Sequence, residues 1–200
     1  GKKIILFGHS MGSMIVRKYI AKYDTDIDGL VVCGSPSKNS TAKLGLALIK
    51  TVKTFKGEKY RSKALKKLMF SGYDKKNEEP NSWICSNKEI VKKYNNDELC
   101  TYDYTINGLE NIVKLMIDIY NPKIYEKNNL KLPIYFIAGS EDPVISSKND
   151  WKKAQEFLKT LGYENIKSTL YENMKHEILN EIENQKVYDD VLNWINEVVK

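Results

Sequence analysis

Short apolar runs alternate with longer amphipathic stretches at both ends of this chain. Lys3-Ile4-Ile5-Leu6-Phe7 is rich in β-formers and ends at Gly8, which predicts a strand buried on both faces of a parallel sheet. After a turn over Gly8–Gly12, Met14, Ile15, Lys18, Tyr19 and Lys22 follow helical spacing, and Ala21 and Tyr23 close the segment. Gly29-Leu30-Val31-Val32-Cys33-Gly34 reads as a second buried strand stopped by Ser35-Pro36, so the opening is a βαβ unit.

The alternation stops between about positions 37 and 129, where helical patterns occur without a convincing strand. Leu44, Ala47, Leu48, Thr51, Val52 and Phe55 form one predicted stripe, and Ile106, Leu109, Ile112, Val113, Met116, Ile117 and Tyr120 form another. Lys75 to Asn81 is polar and reads as loop. The β/α rhythm resumes at Leu132–Gly139, followed by a helix with Trp151, Ala154, Phe157, Leu158 and Leu161 on one face and Gly162 at its end. Ile166–Tyr171 is the last predicted strand, and a final helix buries Val187, Val191, Trp194, Ile195 and Val198. Four strands joined by helices imply an α/β fold with a parallel sheet and right-handed crossovers. Residues 1–36 and 130–200 form its core, and a helical insertion over 37–129 covers one end.

Composition narrows the function classes. The 200 residues suffice for one sizeable core, and no apolar run reaches the eighteen or so residues a spanning helix needs. The opening shows no signal-peptide pattern. Cys33, Cys85 and Cys100 lack zinc-like or disulfide-framework spacing, which fits idle thiols in a reducing compartment and a cytoplasmic protein. The net charge of +6 accompanies plentiful Asp and Glu. The densest basic stretch, Arg61 to Lys67, is interrupted by Ala64 and Leu65 as on a solvated helix, so no nucleic-acid partner is expected.

Gly8-His9-Ser10-Met11-Gly12 fits G-x-S-x-G, a pattern that composition alone would produce in roughly one chain in fifteen of this length. Its context is what distinguishes it: a buried strand ends at the first glycine and an amphipathic helix starts near the second, as a nucleophile elbow requires, and both glycines are expected to avoid collisions there. A serine hydroxyl needs a base to take its proton and a carboxylate to orient that base. Of the two histidines, His9 lies inside the elbow, where its side chain is expected to point away from the hydroxyl and pack against neighbouring strands. His176 follows the last strand, where a base at the sheet top belongs. Asp142, beyond the third strand and between serine and histidine in chain order, is the expected acid. Glu141 is its rival, and Asp97, Asp103 and Asp118 in the insertion are weaker candidates.

Gly8–Gly12, Ala138-Gly139-Ser140-Glu141-Asp142-Pro143-Val144 and Lys175-His176-Glu177-Ile178-Leu179-Asn180-Glu181 together resemble the monoacylglycerol lipase and lysophospholipase branch of the serine α/β-hydrolases, a group also classed with serine peptidases of the S33 type. The resemblance implies Ser10 as nucleophile, His176 as base, Asp142 as orienting acid and the Met11 backbone N–H as one oxyanion donor. It implies ester hydrolysis with no cofactor or metal, and residues 37–129 as a mobile cap over an acyl pocket, through which the protein contacts a lipid surface. It covers only the second half of the family fold. The strands before the elbow and the second oxyanion donor are missing from this chain, and are expected upstream or in another polypeptide. An amidase or peptidase, and a non-catalytic module that binds a complementary chain, are the competing readings.

Overall fold

A computed structural model describes residues 1–70, 72–74 and 79–200. Four strands, β1 (Ile5–His9), β2 (Gly29–Cys33), β3 (Ile134–Gly139) and β4 (Ile166–Tyr171), form one parallel sheet in sequential order. His9 lies opposite Cys33, Cys33 opposite Ile137, and Gly139 opposite Tyr171, so every strand delivers the chain to the same edge. Helices α1 (Met11–Tyr23), α6 (Lys148–Thr160) and α7 (Gln185–Val199) accompany the strands. Between β2 and β3 run α2 (Ala42–Lys56), α3 (Lys63–Phe70), α4 (Lys88–Asn96) and α5 (Ile106–Asp118), with no strand among the described residues. The Lys75–Glu78 part of the predicted loop lies outside the described residues.

The unbroken apolar sequences of β2 and β3 have a simple cause: every residue of both strands is buried. One face meets Met14, Ile20, Trp151 and Leu158, and the other meets Val187 and Trp194. The α5 end and the turn after it join the first of these layers through Ile119, Tyr120 and Tyr125. The burial expected of β1 on both faces is not found. This strand stands at the sheet edge in this chain, with Phe7 exposed and Ile5 and Leu6 half-buried.

Two helical faces also differ from their predicted stripes. On α1 the buried residues are Ser13, Met14, Val16, Arg17, Ile20 and Ala21, whereas Ile15, Lys22 and Tyr23 are exposed. Arg17 is fully buried yet stacks on the Tyr120 ring (4.5 Å from guanidinium carbon to centroid) and donates to Ser35 Oγ at 3.2 Å, a polar inward face that hydropathy alone misreads. On α2, Ala42 and Ile49 are buried, with Leu46 and Val52 half-buried against α5. The expected stripe residues Leu44, Leu48 and Phe55 are exposed; α2 is apolar on two faces, and among the described residues it is the Ile49 face that packs against α5. The α5 stripe and the α6 and α7 faces are as predicted. Gly162, just beyond α6, has φ +104°, where any side chain would be strained.

Candidate active site

The turn from β1 to α1 holds Ser10 at φ 55° and ψ −118°, outside the regions a serine adopts freely. Such a conformation costs about 1–3 kcal/mol and needs support from its surroundings. That support comes from Ser10 N–H donating to Cys33 O (3.0 Å), and from Ser13, whose N–H and Oγ donate to Ser10 O at 3.0 and 2.5 Å. A Cβ on Gly8 would lie 2.4 Å from Gly12 O and 2.7 Å from Val16 Cγ2, so glycine is obligatory at this position. The same requirement expected at Gly12 is absent: nothing lies within 4 Å of a Cβ there, because the residue already belongs to the first turn of α1 and faces open space. Met11 is the first residue of that helix, where backbone N–H groups have no acceptor within the helix.

Ser10, Asp142 and His176 all follow strand ends on one rim of the sheet. Asp142 caps a 3-10 turn (Pro143–Ile145), accepting from Val144 N–H at 2.8 Å through Oδ1. Its Oδ2 stands 2.8 Å from His176 Nδ1, and both side chains are buried. Burial makes that contact strong, because few competing waters screen it. His176 Nε2 is buried and has no hydrogen-bond partner among the described residues, Ser10 Oγ included. Glu141, the rival carboxylate, is exposed. Asp103 pairs with Lys66, Asp118 with Lys18, and Asp97 receives the Leu99 N–H.

Two glycines clear space for the histidine and its loop: Gly34 lies outside the sequence motifs, and Gly139 stands inside one without a role assigned to it. Gly34, at φ +54°, would place a Cβ 3.0–3.2 Å from His176 Cε1 and Nδ1 and from Asp142 Oδ2. On Gly139 a Cβ would collide at 2.2 Å with the carbonyls of Met174 and Lys175, the residues leading into His176. Both glycines end apolar strands, a signal that could have marked them. His9 does more than the packing expected of it. Its Nε2 is 3.0 Å from His176 O, and its ring centroid lies 4.5 Å from that of His176. Burial first, and then the neighbouring His176, lower its pKa to about 4, so His9 is neutral near pH 7. Trp83, from the insertion, also reaches the imidazole, ring centroids 5.1 Å apart. No spacing in the sequence points to it.

A cavity of about 630 Å³ opens beside Ser10. Ser10, Met11 and Met14 form its floor, and its walls are Leu44, Leu48 and Ile49 of α2, Leu65, Leu68 and Met69 of α3, and Ile112, Val113 and Met116 of α5, with Tyr73 and Trp83 near the rim. Burial, and then the Asp142 charge, raise the Tyr73 pKa. The same causes raise that of Cys33, which sits in β2 beneath the site and is buried, as is Cys85. A second depression of about 670 Å³ lies on α4, lined mainly by Glu89, Lys92, Lys93, Asn96, Asp97 and Glu98, and is remote from this rim in character. Among the described residues no group of His, Cys, Asp and Glu has the arrangement of a metal site, and no helix is long and apolar enough to cross a membrane.

Known proteins share this architecture. Residues 1–183 match the family model described as serine aminopeptidase, S33. A monoacylglycerol lipase from Mycolicibacterium smegmatis is 25% identical over 191 residues, which cover 96% of this chain and 61% of that protein. The structure of a thermostable carboxyl esterase from Bacillus coagulans, in complex with glycerol, superposes with a TM-score of 0.87 at 27% identity, covering 99% of this chain and 66% of that one. The Paleococcus ferrophilus monoacylglycerol lipase shares the fold at a TM-score of 0.72 and 20% identity, covering 99% of this chain and 70% of that one. This chain therefore spans about three-fifths of the curated relative it matches. A parallel sheet with these connections, a strained serine turn at its rim and a family match over most of the length place the chain in the serine aminopeptidase S33 family of α/β-hydrolases.

Proposed function

We propose that this chain carries the catalytic centre of a serine ester hydrolase acting on monoacylglycerol or lysophospholipid substrates. Ser10 Oγ attacks the ester carbonyl, and His176 Nε2 takes the hydroxyl proton and passes it to the departing alcohol. Asp142 holds the imidazole with Nε2 toward the reaction and stabilises the cation that forms. Met11 N–H donates to the oxyanion. Water, deprotonated by His176, then attacks the acyl-enzyme, releasing the carboxylic acid and restoring Ser10.

The observation that carries this reading is the buried 2.8 Å contact between Asp142 and His176 Nδ1, with His176 Nε2 left without a partner among the described residues on the rim where the strained Ser10 lines an apolar cavity. Walls of Leu44, Leu48, Ile112 and Met116 suit one hydrocarbon chain, and residues 37–129 are then the cap that sets its length. Lysines 43, 50, 63 and 67 stand exposed beside Leu44, Leu48 and Leu68, which suits a cap that rests on a lipid surface. The likeness to a carboxyl esterase and to a monoacylglycerol lipase supports an ester substrate over an amide.

A fluorophosphonate probe should label the full-length protein at Ser10, and Ser10→Ala should abolish both labelling and hydrolysis of monoacylglycerol. Labelling at another residue would refute the assignment. Faster turnover of an aminoacyl amide than of monoacylglycerol would replace the esterase reading with a peptidase one.

A further inference from the structure

The loop that carries His176 is stitched to one short segment of the insertion. Lys175 Nζ donates to Ser82 O at 2.7 Å, Glu177 N–H to Ile84 O at 2.6 Å, and Cys85 Sγ to Asn180 O at 3.3 Å. At the centre is Glu181, a buried carboxylate. It accepts from Ser86 N–H (3.0 Å to Oε1 and 3.2 Å to Oε2) and from Lys175 N–H (2.8 Å). One side chain thus ties together the residue before the histidine and the segment that presents Trp83, whose ring contacts the imidazole. Backbone N–H groups at these depths need acceptors, and a carboxylate that takes two of them fixes their separation.

We propose that Glu181 is a positioning residue for the hydrolysis, acting through this joint to hold the His176 imidazole and its Trp83 neighbour in one rigid arrangement. The inference rests on the reading of His176 as the general base. Asp142 fixes the ring at Nδ1 and His9 meets the backbone carbonyl. Neither ties the loop to the insertion; the other three bonds of the joint do, but Glu181 is the side chain that fixes the Lys175 and Ser86 amides at a set separation, so without it the joint loosens. Because catalysis is sensitive to displacements of about 1 Å, the loss should fall on turnover.

The test, on the full chain that carries this sequence, compares Glu181→Ala, Glu181→Asp and Glu181→Gln. Glu181→Ala is expected to lower kcat about ten- to a hundredfold with KM within about threefold of wild type. It should also broaden or remove the downfield proton resonance of the His176–Asp142 hydrogen bond, identified by its loss in Asp142→Asn. Glu181→Gln keeps an oxygen that can accept from both amides and should restore kcat to within about threefold, with a sharp resonance. Glu181→Asp keeps the charge but is one methylene too short to span them, and carries the same expectation as alanine should that variant not fold. A resonance that stays sharp in both shortened variants, or a loss borne by KM alone, overturns the proposal. Ser10→Ala separates the two ideas: if it retains turnover, the serine mechanism falls, while the resonance still decides whether Glu181 holds the imidazole.

Discussion

The sheet and the insertion use apolar residues to different ends. In β2 and β3 every residue is buried, and apolar sequence corresponds directly to core. In the insertion, Ile49 is 2% exposed while its neighbour Leu48 is 43% exposed and Leu44 is 74% exposed, although all three are equally apolar. All three line the cavity beside Ser10, but only Ile49 also joins the cluster packed between α2 and α5. Apolar residues on a helix with two such faces report either packing or a ligand wall, and only the neighbouring element distinguishes them.

That contrast can be sharpened by substitutions that act on one region alone. The largest effect is expected at the rim: Asp142→Asn keeps the volume but favours the wrong imidazole tautomer, and should reduce kcat on the order of 10⁴-fold with unchanged thermal stability. Steady-state kinetics beside a melting curve check both halves. In the insertion, Ile49→Ala should cost about 2–5 kcal/mol in urea unfolding, because it empties a packed site between α2 and α5.

A pH dependence follows from His9. Its folded pKa of about 4 lies below the 6.5 of an unperturbed imidazole, so the unfolded chain binds the proton more readily. The stability it contributes is therefore complete above pH 6.5 and declines as pH falls from 6.5 toward 4, by up to about 3 kcal/mol. Urea midpoints measured across that window should show the slope, and His9→Gln should flatten it. The smallest stability effect belongs to Leu48→Ala, under about 1 kcal/mol, since its side chain is exposed and lies outside the α2–α5 cluster. Its signature should instead be a higher KM for long acyl chains than for short ones. If Leu48→Ala destabilised as much as Ile49→Ala, the division of α2 into a packed face and a ligand face would be wrong.

Much of the site was legible because its chemistry is local. Gly8 through Met11 encode the elbow within one turn, and Asp142 and His176 each follow a strand recognisable from its own residues. Less legible were contributions that depend on distant contacts. Arg17 lies off the stripe predicted for α1, and only the fold brings Tyr120 and Ser35 against it. Gly34 and Gly139 read as ordinary strand ends until the histidine loop presses on them.

From the order and spacing of its residues alone, this chain determined its parallel α/β architecture, the serine turn, and the candidate residues Asp142 and His176, which the fold brings together at the rim. Those properties come from backbone geometry and from periodicities of two and 3.6, which act over a few residues. The tertiary structure alone decided which face of α2 is core, how Trp83 and Glu181 reach the histidine loop, and why glycine is needed opposite it. Each of these depends on a neighbour many residues away, and burial and close approach are properties of pairs of segments rather than of either one.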